Sequence, residues 1–167
     1  MRKHSGKEVT RTLGESIAKI QHLTHLKMNL KSINIENINF GSDVVIVEPV
    51  NLYGCKIGDN VFIGPFVEIQ KKVIIGTRVK IQSHSFICEM VNIGDDCFIG
   101  HGVMFINDLF SKGEPANGNK NLWKRTSVKN HVSIGSNSTI LPVEICSHVV
   151  IGAGSVVTKD IIESGVY

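Results

Sequence analysis

Long apolar runs are missing from this 167-residue chain. The longest extend over only a few residues, far short of the roughly 20 that a membrane-spanning helix needs. An excess of one charge is missing as well. Lys plus Arg number 18 against 15 Asp plus Glu, a net charge of +3, which is too near balance to argue for a nucleic-acid groove or an anionic membrane surface. The four cysteines, Cys55, Cys88, Cys97 and Cys146, have no paired spacing of the kind that marks a zinc site or a disulfide framework. Each is expected to be a small apolar filler. Residues 1–34 contain basic residues but neither a continuous apolar core nor a small-residue cleavage site. No secretory signal is expected, and the expected location is cytoplasmic.

What the chain does have is a six-residue period. From Ile57 it reads IGDNVF, IGPFVE, IQKKVI, IGTRVK, IQSHSF, ICEMVN, IGDDCF, IGHGVM without a gap into Phe105. Position one is apolar at every step, and position five is small or β-branched: Val61, Val67, Val73, Val79, Ser85, Val91, Cys97 and Val103. Six fits neither the 3.6 of a helix nor simple strand alternation, and it predicts a solenoid. The expected coil has three flat sides of about six residues and rises about 4.8 Å per turn. Positions one and five point inward, and the glycines frequent at position two are expected where the chain turns a corner.

At this length one domain is expected. Residues 1–34 are read as a polar segment and a capping helix, because Leu13, Ile17, Ile20, Leu23, Leu26 and Leu30 recur at helical spacing. Docking of that helix onto the open first coil and docking onto a partner are both compatible with the stripe. Residues 35–162 form the β-helix, starting with a looser version of the repeat that is one residue short near Gly54, and 163–167 form a short tail. The period lapses over an insertion at 108–127 and slips again at ILPVE, where a local bulge is expected. An irregular stretch as long as the insertion is usually functional, so a substrate or cofactor is sought there.

The blocks resemble the hexapeptide-repeat, left-handed parallel β-helix family. VEIQ, SHSFICE, HGVMFIND and IGAGSVVTKD resemble in particular its sugar-nucleotide N-acyltransferases. That resemblance, over roughly residues 40–162, implies a left-handed coil. It also implies a homotrimer with active sites between prisms, and transfer of acetyl from acetyl-CoA to an amino sugar, most often 3-amino, carried on UDP or dTDP. Such a product would feed a surface glycan such as lipopolysaccharide. The resemblance further places pantetheine against the backbone of Ala153 and Gly154, with Lys159 near the CoA phosphates. Many relatives continue beyond the point matching Tyr167 into a further segment and helix that add CoA contacts.

The residues themselves supply candidates for the chemistry. His84 and His101 fall at positions four and three of their blocks and are 17 residues apart, so they project outward at one edge about one coil apart. Either is suited to act as a general base, with His84 the first choice, and each also reads as an ordinary exposed turn residue. Glu89 is read as orienting a histidine, as the proton acceptor itself, or as a solvated corner carboxylate. Gln70 stands where other blocks have glycine and serves either a ladder or a ligand. Asn107 is placed to hold the sugar or its amine, and Asp108 either joins it or starts a turn. Lys120, Lys124 and Arg125 around Trp123 form either a cationic, aromatic surface for a nucleotide diphosphate or a solvated loop. Backbone N–H groups at Gly100 or Gly102 are candidates for the oxyanion. Three rivals remain: an O-acetyltransferase of the same fold, a zinc hydratase, whose pair of histidines five apart is absent from the coil, and a scaffold without enzymatic activity. No metal is expected.

Overall fold

The computed structural model describes residues 35–167; the helix expected over Leu13–Leu30 lies outside them. The described chain is a parallel β-helix of three sheets with seven, six and seven strands. The first face is built from Ile35–Glu36, Asn51–Tyr53, Glu68–Ile69, Phe86–Ile87, Met104–Phe105, Thr139–Ile140 and Val156–Val157. Lys56–Ile57, Ile74–Ile75, Val91–Ile93 and Thr126–Val128 lie in the second face, and Phe62–Ile63, Lys80–Ile81, Phe98–Ile99 and Ser133–Ile134 in the third. Gly165–Val166 adds the last strand of the third face. No helix among the described residues is long and apolar enough to cross a membrane.

Position one supplies the core. Ile63, Ile69, Ile81, Ile87, Ile99 and Phe105 are completely inaccessible, and burying each of these side chains contributes about 1.5–3 kcal/mol. Position five fills the remaining space, including Ser85, which is 1% exposed. Its Oγ lies 2.9 Å from the carbonyl oxygens of both Gln82 and Gly100, where its single proton is shared.

Corner chemistry departs from the sequence expectation. The residue in the left-handed region is position four, not position two: Asn60 (φ 55), Lys72 (φ 63), His84 (φ 63), Met90 (φ 73) and Gly102 (φ 65) among others. Its N–H donates to the position-three carbonyl one coil earlier, as from His84 to Pro65 at 3.1 Å and from Gly102 to Ser83 at 2.9 Å. The glycine at position two is needed for closeness instead. A Cβ on Gly100 would lie 2.7 Å from Ser136 N and 2.8 Å from Ile134 O in the next coil.

Variation in coil length is concentrated at the corner between the first and second faces. The step is five residues from Leu52 to Ile57 and from Ile140 to Ile145, against six from Ile69 to Ile75. The slip at ILPVE is absorbed there, and Ile145 still stands opposite Val128. The insertion opens at the same corner, and across it Phe105 still pairs with Ile140.

Two substitutions separate the two glycine-like roles. Gly100→Ala is expected to cost about 1–3 kcal/mol by overpacking, whereas Lys72→Gly should stay within about 1 kcal/mol of wild type, relief of left-handed strain offsetting the added chain entropy. Urea unfolding midpoints at constant m-value are the readout.

Candidate functional site

Between Phe105 and Thr126 the chain leaves the coil and folds back over the outer side of the first face. Asp108 forms an antiparallel bridge with Trp123, and Lys124 N donates to Asn107 O at 3.0 Å. The Asp108 carboxylate accepts from Phe110 N (3.0 Å) and Ala116 N (2.7 Å), so it holds the loop from within. A short 3-10 turn, Lys120–Leu122, is capped by the Asn119 side chain, which accepts from Asn121 N. The insertion is therefore a closed loop anchored at its own base.

A cavity of about 610 Å³ lies between this loop and the coil. Phe86, Met104 and Thr139 form its wall on the first face, Phe110 and Trp123 its cover, and Gln70 and Asn107 its polar edge. Cys88, at its base, is 3% exposed. Burial pushes the thiol up to about 12, so it stays protonated near neutrality.

Along the corner beside the cavity runs a ladder of polar groups from four successive coils, those of Tyr53, of Glu68 and Gln70, of Glu89 and of Asn107. Tyr53 Oη and Gln70 Nε2 donate to Glu68 Oε1 at 3.2 and 3.1 Å. Burial, reinforced by Glu68, pushes the Tyr53 phenol up to about 12, which keeps it a donor. Glu89 N donates to Gln70 Oε1 at 3.2 Å, and Asn107 Nδ2 donates to Glu89 O at 3.2 Å. Gln70 thus both continues the ladder and lines the cavity. Glu89 is not solvated: it is 6% exposed, and its carboxylate accepts from Lys120 Nζ at 2.8 and 3.0 Å. Lys71 Nζ stands 3.6 Å away. The Lys120 ammonium also lies 5.1 Å from the centre of the Trp123 ring.

His84 and His101 occupy the opposite edge of the first face, where it meets the third. The His84 ring stacks on Phe66 at 4.8 Å. His101 Nδ1 is 2.9 Å from Ser83 Oγ, its N–H donates to Ser136 Oγ at 3.2 Å, and its carbonyl accepts from Asn137 N at 2.8 Å. Gly154 N donates to Ser136 O in the preceding coil at 2.8 Å. The histidines and the Ala153–Gly154 backbone therefore share one edge, and a Cβ on Gly154 would meet nothing within 4 Å. Five residues separate His84 from Glu89, roughly 16 Å of strand. Within one chain the carboxylate is bonded to Lys120, not to an imidazole. Arg125 and Lys159 are exposed and do not line the cavity. Among the described residues no three His, Cys, Asp or Glu side chains form a group able to hold a metal ion.

Sequence reasoning missed Phe86, Met104, Thr139 and Phe110 as lining residues. A signal existed for the first three: Phe86, Met104 and Thr139 hold position six, which faces outward on the first face, in consecutive coils.

Two family profiles match the coil. One, described as bacterial transferase hexapeptide (six repeats), covers residues 54–89; the other, hexapeptide repeat of succinyl-transferase, covers residues 90–104 and 125–159. Among curated proteins, the bifunctional protein GlmU of Shouchella clausii (strain KSM-K16) is 34% identical over 109 residues, 65% of this chain and 21% of that protein. GlmU of Wigglesworthia glossinidia brevipalpis is 39% identical over 107 residues, 64% and 21% respectively. The chain spans about a fifth of the length of these relatives. Among solved structures, a variant of AntD, an N-acyltransferase from Bacillus cereus, in complex with dTDP and coenzyme A is 24% identical. It covers 92% of this chain and 82% of its own, with a TM-score of 0.68. A hexapeptide-repeat acetyltransferase from Vibrio cholerae O1 biovar eltor, complexed with acetyl coenzyme A, is 23% identical. It covers 68% and 64%, with a TM-score of 0.57. At these identities the likeness is one of fold.

Thiol accessibility checks the floor of the cavity. Iodoacetamide at pH 8 should modify Cys146, which is partly exposed, while Cys55, Cys88 and Cys97 react only after denaturation. Rapid native labelling of Cys88, read by peptide mass spectrometry, would mean that the cavity floor is open.

Proposed function

The chain belongs to the hexapeptide-repeat transferase family, and from that premise we propose that it is an acetyl-CoA-dependent N-acetyltransferase of a UDP- or dTDP-linked amino sugar, most naturally a 3-amino sugar. The observation that carries this reading is the cavity under the insertion. It has aromatic and aliphatic walls for the C–H face of a sugar ring, and no lysine or arginine lines it. Asn107 commits its Nδ2 to Glu89, which leaves its carbonyl oxygen to accept from a sugar hydroxyl or amine. Thr139 adds a hydroxyl. A pocket without a cation suits the sugar better than its diphosphate, which would extend toward Lys124 and Arg125 outside. AntD, an N-acyltransferase bound to dTDP and coenzyme A, is the neighbour whose ligands agree best with this assignment.

In the reaction the free amine attacks the thioester carbonyl carbon. A C–N bond forms, the C–S bond breaks, and one proton passes from nitrogen to the departing CoA sulfur. An unprotonated alkylamine is already a nucleophile, so positioning supplies much of the rate. A histidine has only to take the surplus proton and return it to sulfur. His84 remains first choice; His101, hydrogen-bonded to Ser83, is the second candidate. Pantetheine would run along their edge past Ala153 and Gly154, with Lys159 toward the phosphates; the N–H groups of Gly100 and Gly102 are bonded to Ile134 O and Ser83 O at 2.8 and 2.9 Å and so are not available to the oxyanion.

The cavity and the histidine edge lie on opposite sides of one face. A complete site therefore calls for a second copy that sets its histidine edge against its neighbour's cavity, and a homotrimer would satisfy this three times over. Acetyl-CoA and nucleotide sugars place the reaction in the cytoplasm, upstream of a surface glycan such as lipopolysaccharide.

Incubation with acetyl-CoA and a panel of UDP- and dTDP-linked 3-amino and 4-amino sugars should give an acetylated product by mass spectrometry, with thiol released in step. Of His84→Asn and His101→Asn, one should lose about 100-fold in kcat with little change in KM; normal rates in both would remove the histidine base. CoA binding without transfer to any amine would favour a hydroxyl acceptor, and absence of CoA binding a scaffold.

A further inference from the structure

Glu89 and Lys120 each look like chemistry in the sequence, one as an acid–base carboxylate and the other as a phosphate-binding ammonium. Their geometry leaves neither free for that use. Both Glu89 oxygens accept from Lys120 Nζ, the carboxylate side chain is 8% exposed, and Glu89 does not line the cavity. Lys120 is committed on two sides, to Glu89 and to the face of the Trp123 ring. Trp123 in turn donates its backbone N–H to Lys120 O at 3.2 Å and covers the cavity.

The contacts around Glu89 run in a single direction, from the coil outward to the loop. Its backbone N–H is fixed by Gln70 and its carbonyl by Asn107, both within the wall. Its side chain then reaches a lysine 31 residues further along, in the middle of the insertion. The loop base is closed at Asp108 and Trp123. Among the described residues this ion pair is the one salt bridge that ties the insertion to the coil. Lys71, 3.6 Å from the same carboxylate, adds a second positive charge from the coil.

We propose that Glu89 and Lys120 are positioning residues: together they latch the insertion onto the coil and hold Trp123 as the wall of the acceptor cavity, so that they govern acceptor binding without touching the reacting atoms. The role of the cavity rests on the acceptor reading given above, but the latch itself is a property of the fold and is measurable without any substrate. Glu89 is the anchor on the coil, and Lys120 neutralises its buried carboxylate from the loop.

The chain contains a single tryptophan, so intrinsic fluorescence reports this wall alone. Glu89→Gln and Lys120→Met should each shift Trp123 emission to the red and raise its acrylamide quenching at least about twofold as the loop opens. Unchanged emission and quenching in both single variants would overturn the latch. Should Glu89→Gln fail to fold by circular dichroism, Lys120→Met, altered at a half-exposed side chain, carries the test. With an accepted amino sugar, Lys120→Met and Glu89→Gln should raise the acceptor KM about tenfold and leave the acetyl-CoA KM and the pH profile of kcat in place. A collapse of kcat in Glu89→Gln at unchanged KM, or loss of a limb of the pH profile, would overturn the proposal and return Glu89 to acid–base chemistry. If the wild-type protein acetylates none of the sugars, the acceptor reading fails while the fluorescence result still decides the latch.

Discussion

Every coil must return to stack on the one before it, and that single closure condition governs the rest of the molecule. Parallel backbone pairing sets the spacing between coils, and an inward aliphatic residue must arrive above its predecessor each time, as Ile81 does above Ile63 and Ile99 above Ile81. Glycine at position two lets adjacent coils approach, and the left-handed residue at position four turns the chain while its N–H bonds to the coil before. What remains free is the outward surface and the length of the corners. One corner takes all the irregularity: the five-residue steps from Ile35 to Phe40, Leu52 to Ile57 and Ile140 to Ile145, the four-residue step from Val157 to Ile161, and the insertion all fall where the first face passes to the second. An excursion there leaves the register intact, since Phe105 and Ile140 still pair.

The candidate site is a by-product of that arrangement. Stacking places residues of successive coils side by side, so Tyr53, the Glu68–Gln70 pair, Glu89 and Asn107 become a continuous hydrogen-bonded edge although 15 to 19 residues separate one coil's contribution from the next. The wall is rigid because it is the coil, and the cover is a loop attached at both ends to that wall. Such a construction suits a binding cavity that must present a sugar in one orientation. Its chemistry then depends on what is brought to the face from the edge carrying His84, His101 and the open backbone at Gly154.

Much of the fold was legible because its determinants repeat. Position one and position five announced the core in the order found. Spacing alone could not distinguish two reasons for glycine, a turn or a close approach, and position two proved to be the second. Neither reading of Glu89, as an acid–base group or as a solvated corner carboxylate, included an ion pair, because its partner, Lys120, sits in a segment with no period. Its burial is created by a loop that sequence reasoning could locate but not fold. Asn107, Asp108 and Trp123 stood out because they border or lie within the stretch where the repeat lapses, and Gln70 because it replaces a glycine of the repeat. The separation of the histidines from Glu89 across a whole face became visible only once the corners were assigned.

The central claim is that the sugar amine is presented from the cavity beneath the insertion. A crystal structure of the protein with CoA and a dTDP-linked 3-amino sugar tests it most directly. The account predicts a sugar ring lying against Trp123 with a hydroxyl or the amine within hydrogen-bond distance of Asn107, and the amine turned toward the CoA sulfur. A nucleotide sugar bound on another face, with the cavity empty while CoA is in place, would contradict it.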